Sequence, residues 1–224
     1  MNKKYPYAIF DMDGTLVDSM PYWHNIGRDY LLSRGKEPEE HLWEKLSTMS
    51  TAESARYFQE RYGLTEDVPT IVQGFNDIMA ENYRLRVPAK PGVREYLLSL
   101  RDAGVDLSLA TATSIPLVEV TLRRLELLPL FSHITSCDEV GVGKDRPDVF
   151  RLALERLGAA PEEAVMYEDA WFAVQTAKAL GMHVAGVYDP TCTGTPEEMA
   201  AVCDCYIRDF SALTYCPQDV RDEK

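Results

Sequence analysis

The sequence lacks any apolar run near the roughly 20 residues that a membrane-spanning helix needs, so no membrane partner is expected. It is also short of positive charge. Its 23 lysines and arginines stand against 36 aspartates and glutamates, a formal net charge of −13. Such a surface repels phosphate backbones, which argues against nucleic acid as a partner. It repels a small phosphorylated ligand at long range too, so any anion site has to carry its own local cation. Cysteines are few and odd in number, at positions 137, 192, 203, 205 and 216, which speaks against the disulfide framework of a secreted protein. Cys203 and Cys205 in "VCDCYI" have the wrong spacing for a zinc knuckle, and no second pair exists; they read as small apolar residues on or near a strand. The opening "MNKKYPYAIFDMDG" meets acid too soon for a signal-peptide core and offers no small-residue cleavage site. The expectation is a cytoplasmic protein, a monomer or at most a weak homodimer.

What is present is a globular composition, 46% hydrophobic and 26% charged, in 224 residues. That length holds one ordinary core and a smaller appended unit. Strand-like runs recur at 7–11, 105–112, 132–136, 164–169 and 182–189, with a weaker one at 203–207. Helical patterns lie between them. "PGVREYLLSLRDAG" opens on Pro91 and closes on Gly104, "RPDVFRLALERLG" closes on Gly158, and "DAWFAVQTAKALG" closes on Gly181. Proline early and glycine just past the end are helix boundary signals. Strands alternating with helices imply an α/β fold, a Rossmann-like, doubly wound parallel sheet covered on both faces.

One connection breaks the alternation. About 90 residues separate the first two strands, where a simple crossover unit takes roughly 30. The interval is itself helical in pattern, with stripes at Tyr22, Ile26 and Tyr30, at Ala55, Phe58 and Tyr62, and at Ile71, Phe75 and Ile78. The spacing predicts an α-helical insertion over 19–87 on the first loop of a core made of 1–18 and 88–224. In open α/β sheets ligands bind outside the C-terminal strand ends, where such an insertion begins. An insertion there is suited to exclude water and select substrates. The acidic tail "QDVRDEK" is expected to fray.

The chemistry-bearing residues sit at the same strand ends. "YAIFDMDGTLVDSM" ends its apolar run in Asp11, with Asp13 two places on. "LSLATATS" ends in Thr111, then Ala112, Thr113 and Ser114; a hydroxyl and free backbone N–H groups before a helix suit one phosphoryl group. "GVGKDRPDVF" sets Lys144, the required local cation, just ahead of a helix, and "AVMYEDAWF" ends its strand in Glu168 and Asp169. Each has an ordinary structural use alone: Gly14 in a turn, Thr111 to Ser114 as a helix N-cap, Lys144 in a solvated loop, the acidic pair at a helix start. Together they fall at successive strand ends that converge on one edge. Carboxylates gathered there raise one another's pKa unless a cation joins them. Magnesium fits, because it takes one or two carboxylates, waters and a substrate phosphate oxygen. Side-chain oxygens of Asp11 and Asp169 and the carbonyl of Asp13 are the expected ligands, with Glu168 binding directly or through water.

These motifs, in this order and over nearly the whole chain, resemble the haloacid dehalogenase-like hydrolases, and within them the phosphatase and β-phosphoglucomutase-like branch. The inserted helices look like that family's first cap type. The resemblance implies a magnesium-dependent hydrolase of a small phosphorylated metabolite. Asp11 would attack phosphorus and form an aspartyl phosphate. Asp13 would be the acid and then the base. Thr111, Ala112 through its backbone, and Lys144 would hold the phosphoryl oxygens. The chain departs from the pattern at Ala112, where many phosphatases carry a polar side chain, and at Lys-Asp-Arg-Pro, where Lys-Pro is commoner.

Other outcomes are weighed by what they require. A dehalogenase has no alkoxide to protonate and no need of Asp13. A β-phosphoglucomutase grips its sugar phosphate with cap cations. At the matching places this chain has Trp23, with His24 one position off and so about 100° round a helix, and Ser47 and Thr51. Phosphonoacetaldehyde hydrolase needs a cap lysine, and none lies in 21–33. A non-catalytic phospho-acceptor of the receiver kind is shorter, lacks a cap and places its acceptor later than an acidic pair. Met20, Trp23 and Met49 are candidates for lining a substrate pocket, Trp23 foremost, against the plainer use of packing the cap's own core.

Overall fold

Short apolar runs form the middle of the sheet because both of its faces are covered. The computed structural model describes residues 5–46, 49–191 and 194–212; Ser47, Cys192, Cys216 and the tail 218–224 lie outside them. Among the described residues are six strands: β1 (Tyr7–Phe10), β2 (Asp106–Thr111), β3 (His133–Ser136), β4 (Ala164–Glu168), β5 (His183–Val187) and β6 (Cys205–Ile207). They pair in parallel in the order β3-β2-β1-β4-β5-β6. Tyr7 is in register with Asp106 on one side and Ala164 on the other. The helices, in chain order, are α1 (Met20–Ser33), α2 (Leu42–Leu46), α3 (Thr51–Tyr62), α4 (Val68–Leu85), α5 (Val93–Asp102), α6 (Ile115–Arg124), α7 (Cys137–Val140), α8 (Asp148–Leu157), α9 (Trp171–Ala179) and α10 (Pro196–Val202). None is long and apolar enough to cross a membrane.

The described chain forms two compact units, 1–18 with 88–224 and 19–87. In the first, strand alternation sends Ile9 and Met166 into a core with Val149, Phe150, Val174 and Val184, which places α8 and α9 on that face. On the opposite face Phe10 stacks on Tyr167 at 4.1 Å, and the Tyr96 and Tyr167 hydroxyls share a 2.7 Å hydrogen bond that brings in α5. Burying each such side chain contributes about 1.5–3 kcal/mol. α5 begins at Val93 and not at Pro91, because Gly92 turns at φ 76° against the backbone of Ser211. A Cβ at Gly92 would lie 2.2 Å from the Ser211 nitrogen, so only glycine fits.

The second unit is α1 to α4 around Tyr30, Leu46, Ala55, Phe58, Ile71 and Phe75. Helical spacing brings these to one interior, and local signals bound the helices. Ser50 and Glu53 make a capping box before α3, Gly63 closes it in a left-handed turn, and Asp67 caps α4 through Thr70. Met49 packs at the edge of this core, and Trp23 donates from Nε1 to the Tyr83 hydroxyl at 3.1 Å. Of the three described cysteines, Cys137 and Cys203 are buried and none is in a disulfide.

Candidate active site

The strand order contains one reversal. From β1 the chain moves outward to β2 and β3, and then returns to the other side of β1 with β4. At such a switch point the two adjacent loops diverge and leave a crevice beyond the strand ends. β1 runs out into Asp11, whose N–H donates to the Tyr167 carbonyl at 2.9 Å. β4 ends in Glu168, followed by Asp169. Three carboxylates thus reach one place because their strands are neighbours.

The loop after Asp11 is folded on itself. Leu16 and Val17 N–H both donate to the Met12 carbonyl, and Gly14 N–H to that of Val17. Gly14 has φ 77°, and a Cβ there would lie 2.3 Å from Asp169 Oδ2. The glycine therefore serves two needs, the turn and the approach of a carboxylate to bare backbone. Thr15 Oγ1 donates to Asp169 Oδ1 at 3.0 Å. Lys144 Nζ donates to Asp11 Oδ1 and, at 2.8 Å, to Glu168 Oε2. The other oxygen of Glu168 accepts from the N–H groups of Asp169 and Ala170, at 3.1 and 3.0 Å. Oxygens of Asp11, Glu168 and Asp169 lie within 4.8 Å of one another, and all three residues are buried.

Three carboxylates share one ammonium here, and the protonation balance reflects it. Burial pushes Asp11 up to about 8; Lys144 opposes the shift, while Glu168 and Asp13 add to it. Burial likewise raises Asp169, helped by Glu168 and Asp11. Burial works to lower Lys144, but the Asp11 and Glu168 carboxylates outweigh it and hold the amine above its ordinary value. The cluster is short of positive charge. Its donors are hard oxygens, the set that suits a divalent cation such as magnesium, and a cation would relieve the repulsion. The residues present fit that ion.

A second group adjoins. Asp13, half-buried, accepts from Thr113 Oγ1 at 2.6 Å. Thr111 is the last residue of β2, and its Oγ1 accepts from Thr113 N–H at 3.0 Å. The N-cap position of α6 is Ser114, so Thr111 is not the helix cap. Ser136 Oγ, from the end of β3, donates to the Thr113 carbonyl at 3.0 Å. Ala112 is exposed beside them. Asp145 and Arg146 are both exposed, and Arg146 lies 3.6 Å from Asp148, so the unusual Lys-Asp-Arg-Pro run leaves the Lys144 amine to Asp11 and Glu168. Trp23 belongs to the helical unit. Sequence reading passed over Thr15 and Thr113 as holders of the carboxylates. Their signal was present: Thr113 follows Thr111 at the strand period of two, and Thr15 directly follows Gly14.

A sequence profile of the haloacid dehalogenase-like hydrolases matches residues 8–187. The chain is 30% identical over 175 residues to the phosphorylated carbohydrates phosphatase of Thermotoga maritima, covering 78% of this chain and 81% of that one. It is 31% identical over 203 residues to hexitol phosphatase A of Escherichia coli, covering 87% and 88%. Among solved structures, one from Thermotoga maritima with a provisional β-phosphoglucomutase name superposes with a TM-score of 0.81 at 28% identity, over 92% of this chain and 95% of the other. The chain belongs to the haloacid dehalogenase-like hydrolase family.

Proposed function

We propose that this phosphatase hydrolyses small phosphate monoesters with magnesium through an aspartyl phosphate on Asp11. Its family and the phosphatase names of its relatives make it a phosphoric monoester hydrolase. The observation that carries the finer reading is the shared Lys144, which fixes Asp11 and Glu168 together while Asp169 stands within 4.8 Å.

Asp11 attacks phosphorus with a carboxylate oxygen as the bond to the leaving oxygen breaks. Asp13 gives its proton to that oxygen, then takes one from the water that cleaves the acyl phosphate, which frees Asp11. Thr113 aims the Asp13 carboxyl through their 2.6 Å hydrogen bond. Lys144, the Thr111 hydroxyl and the Ala112 N–H hold the phosphoryl oxygens. Asp11, Asp169 and the Asp13 carbonyl would hold magnesium, with Glu168, whose oxygens already accept from Lys144 and two backbone N–H groups, as a supporting carboxylate; the bound ion would supply charge neutralisation. Asp13 fits protonation of an alkoxide, which carbon–halogen cleavage does not need.

We assign residues 19–87 the part of a cap that selects the leaving group. A cavity of about 180 Å³ within that unit is lined by Trp23, Trp43, Met49, Phe75, Ser54 and Asn76 among others. None of its lining residues is charged. Such walls suit a neutral body with stackable faces, a carbohydrate or polyol, over a second phosphate. The names of the carbohydrate and hexitol phosphatases support the same class. Met20, also considered for the pocket, does not line this cavity.

The test is phosphate release from p-nitrophenyl phosphate and from a panel of sugar and polyol phosphates, with β-glucose 1-phosphate included. Turnover that needs magnesium and ends with a chelator is expected. Conversion of β-glucose 1-phosphate to its isomer faster than hydrolysis would make the chain a mutase. A long-lived phosphoprotein without turnover would make it a phospho-acceptor.

A further inference from the structure

One buried charge of the α/β unit stands outside the cluster just described. Asp189, two residues past the end of β5, is 3% exposed. Its Oδ1 accepts from the N–H and hydroxyl of Thr191, at 2.9 and 2.6 Å. Its Oδ2 lies 3.0 Å from Lys90 Nζ, and that amine also donates to the Tyr188 carbonyl at 2.8 Å. Lys90 lies in "VPAKPG", where the chain returns to the α/β unit, and its side chain is only 12% exposed. A buried ion pair of this kind loses much in desolvation, so it is a poor way to add stability.

The same segment grips the loop that carries Asp13. Lys90 N–H donates to the Leu16 carbonyl at 2.9 Å, and the Pro88 carbonyl accepts from Asp18 N–H at 2.9 Å. Ala89 bridges Val17 antiparallel, and Val17 in turn bridges Asp13. Gly14 N–H closes onto the Val17 carbonyl at 3.0 Å. A continuous chain of contacts therefore runs from Asp189 through Lys90 and Val17 to Asp13.

We infer that the Lys90–Asp189 ion pair is a positioning device, which locks the 88–90 segment to the end of β5 and thereby holds the 13–17 loop so that Asp13 meets the leaving oxygen. The inference rests on the acid role proposed above for Asp13. A displacement of about 1 Å in a catalytic group costs up to roughly 100-fold, so a loose anchor is felt in rate.

Leaving-group dependence separates positioning from general damage. An alkyl phosphate needs its leaving oxygen protonated; p-nitrophenyl phosphate does not. Lys90→Met and Asp189→Asn are expected to lower kcat/KM for an alkyl phosphate by roughly tenfold or more, and for p-nitrophenyl phosphate by less than about threefold. If single variants fail to fold, Lys90→Met with Asp189→Leu leaves no stranded charge, and the same ratio is read from it. Asp13→Asn is the control for the underlying reading. If Asp13→Asn discriminates between the two esters and the pair variants lower both equally or neither, the inference is overturned. If Asp13→Asn itself shows no discrimination, the acid role falls, and the inference with it.

Discussion

The two units of this chain bury different things. Among the described residues, the buried charged side chains are Asp11, Lys144, Glu168, Asp169 and Asp189, and all belong to the α/β unit. The helical unit fills its interior with Tyr30, Phe58, Ile71 and Phe75, and none of its described residues is a buried charge. Burying a charge is costly unless it is paired and hydrogen-bonded, whereas burying an aromatic ring is favourable in itself. The α/β unit carries that cost chiefly in the cluster at the ends of β1 and β4, and once more at Asp189. The helical unit is free to be organised by shape.

The sharpest way to break this contrast is Asp11→Asn. Loss of the proposed nucleophile is expected to lower turnover by about 10⁴-fold or more. Stability should move the other way or stay level, because one of three crowded carboxylates is gone and Lys144 keeps Glu168. A metal-free melting temperature well below the native one would show that Asp11 is structural. Phe58→Ala asks the opposite question of the helical unit. Phe58 is fully buried and meets Tyr62 and Phe75 edge-on at 5.7 Å, so its loss should cost about 3–5 kcal/mol. Denaturant unfolding measures this, and the stabilisation given by magnesium should survive. If it does not, the two interiors are not energetically separate.

Magnesium sharpens the comparison through pH. Asp11 titrates near 3.8 in an unfolded chain and at about 8 when buried here. Between those values the metal-free folded chain keeps a proton that the unfolded chain has released. This contribution to stability is full below the unfolded value and is lost as pH rises through about 8. A cation competes with that proton. The rise in stability on adding magnesium should therefore grow between about pH 6 and about pH 8, by up to about 1.4 kcal/mol per pH unit for each proton displaced. A rise independent of pH would mean that the ion binds away from Asp11.

Much of this was legible in the sequence because strand ends in a parallel sheet converge. Asp11, Glu168 and Asp169 each follow an apolar run, so their meeting follows from topology, and Lys144 from its place before a helix. The supports were not legible. Nothing local in "VPAKPG" announces that Lys90 pairs with a carboxylate 99 positions on, and nothing in "ATATS" shows that the second threonine holds Asp13. Such bonds depend on loop paths, which neither hydrophobic period nor propensity encodes. The stretch from Thr111 to Ser114 divides by position: β2 ends at Thr111, as its apolar run implies, and Ser114 takes the N-cap place of α6.

The smallest expected effect lies at Trp23, and it bears on selection. Trp23 lines the uncharged cavity of the helical unit and is tied to Tyr83 by its indole N–H. It is half-buried and outside the main apolar cluster of that unit, so removing it should disturb the fold less than removing Phe58 does. A lost apolar contact to a substrate changes discrimination by about 1–3 kcal/mol. Trp23→Ala should thus lower kcat/KM several-fold for carbohydrate and polyol phosphates while leaving p-nitrophenyl phosphate within about twofold, since an activated ester relies least on recognition of its body. Relative rates unchanged across the panel would return Trp23 to a packing role. The helical unit would then have to select, if it selects at all, through residues other than its aromatic wall.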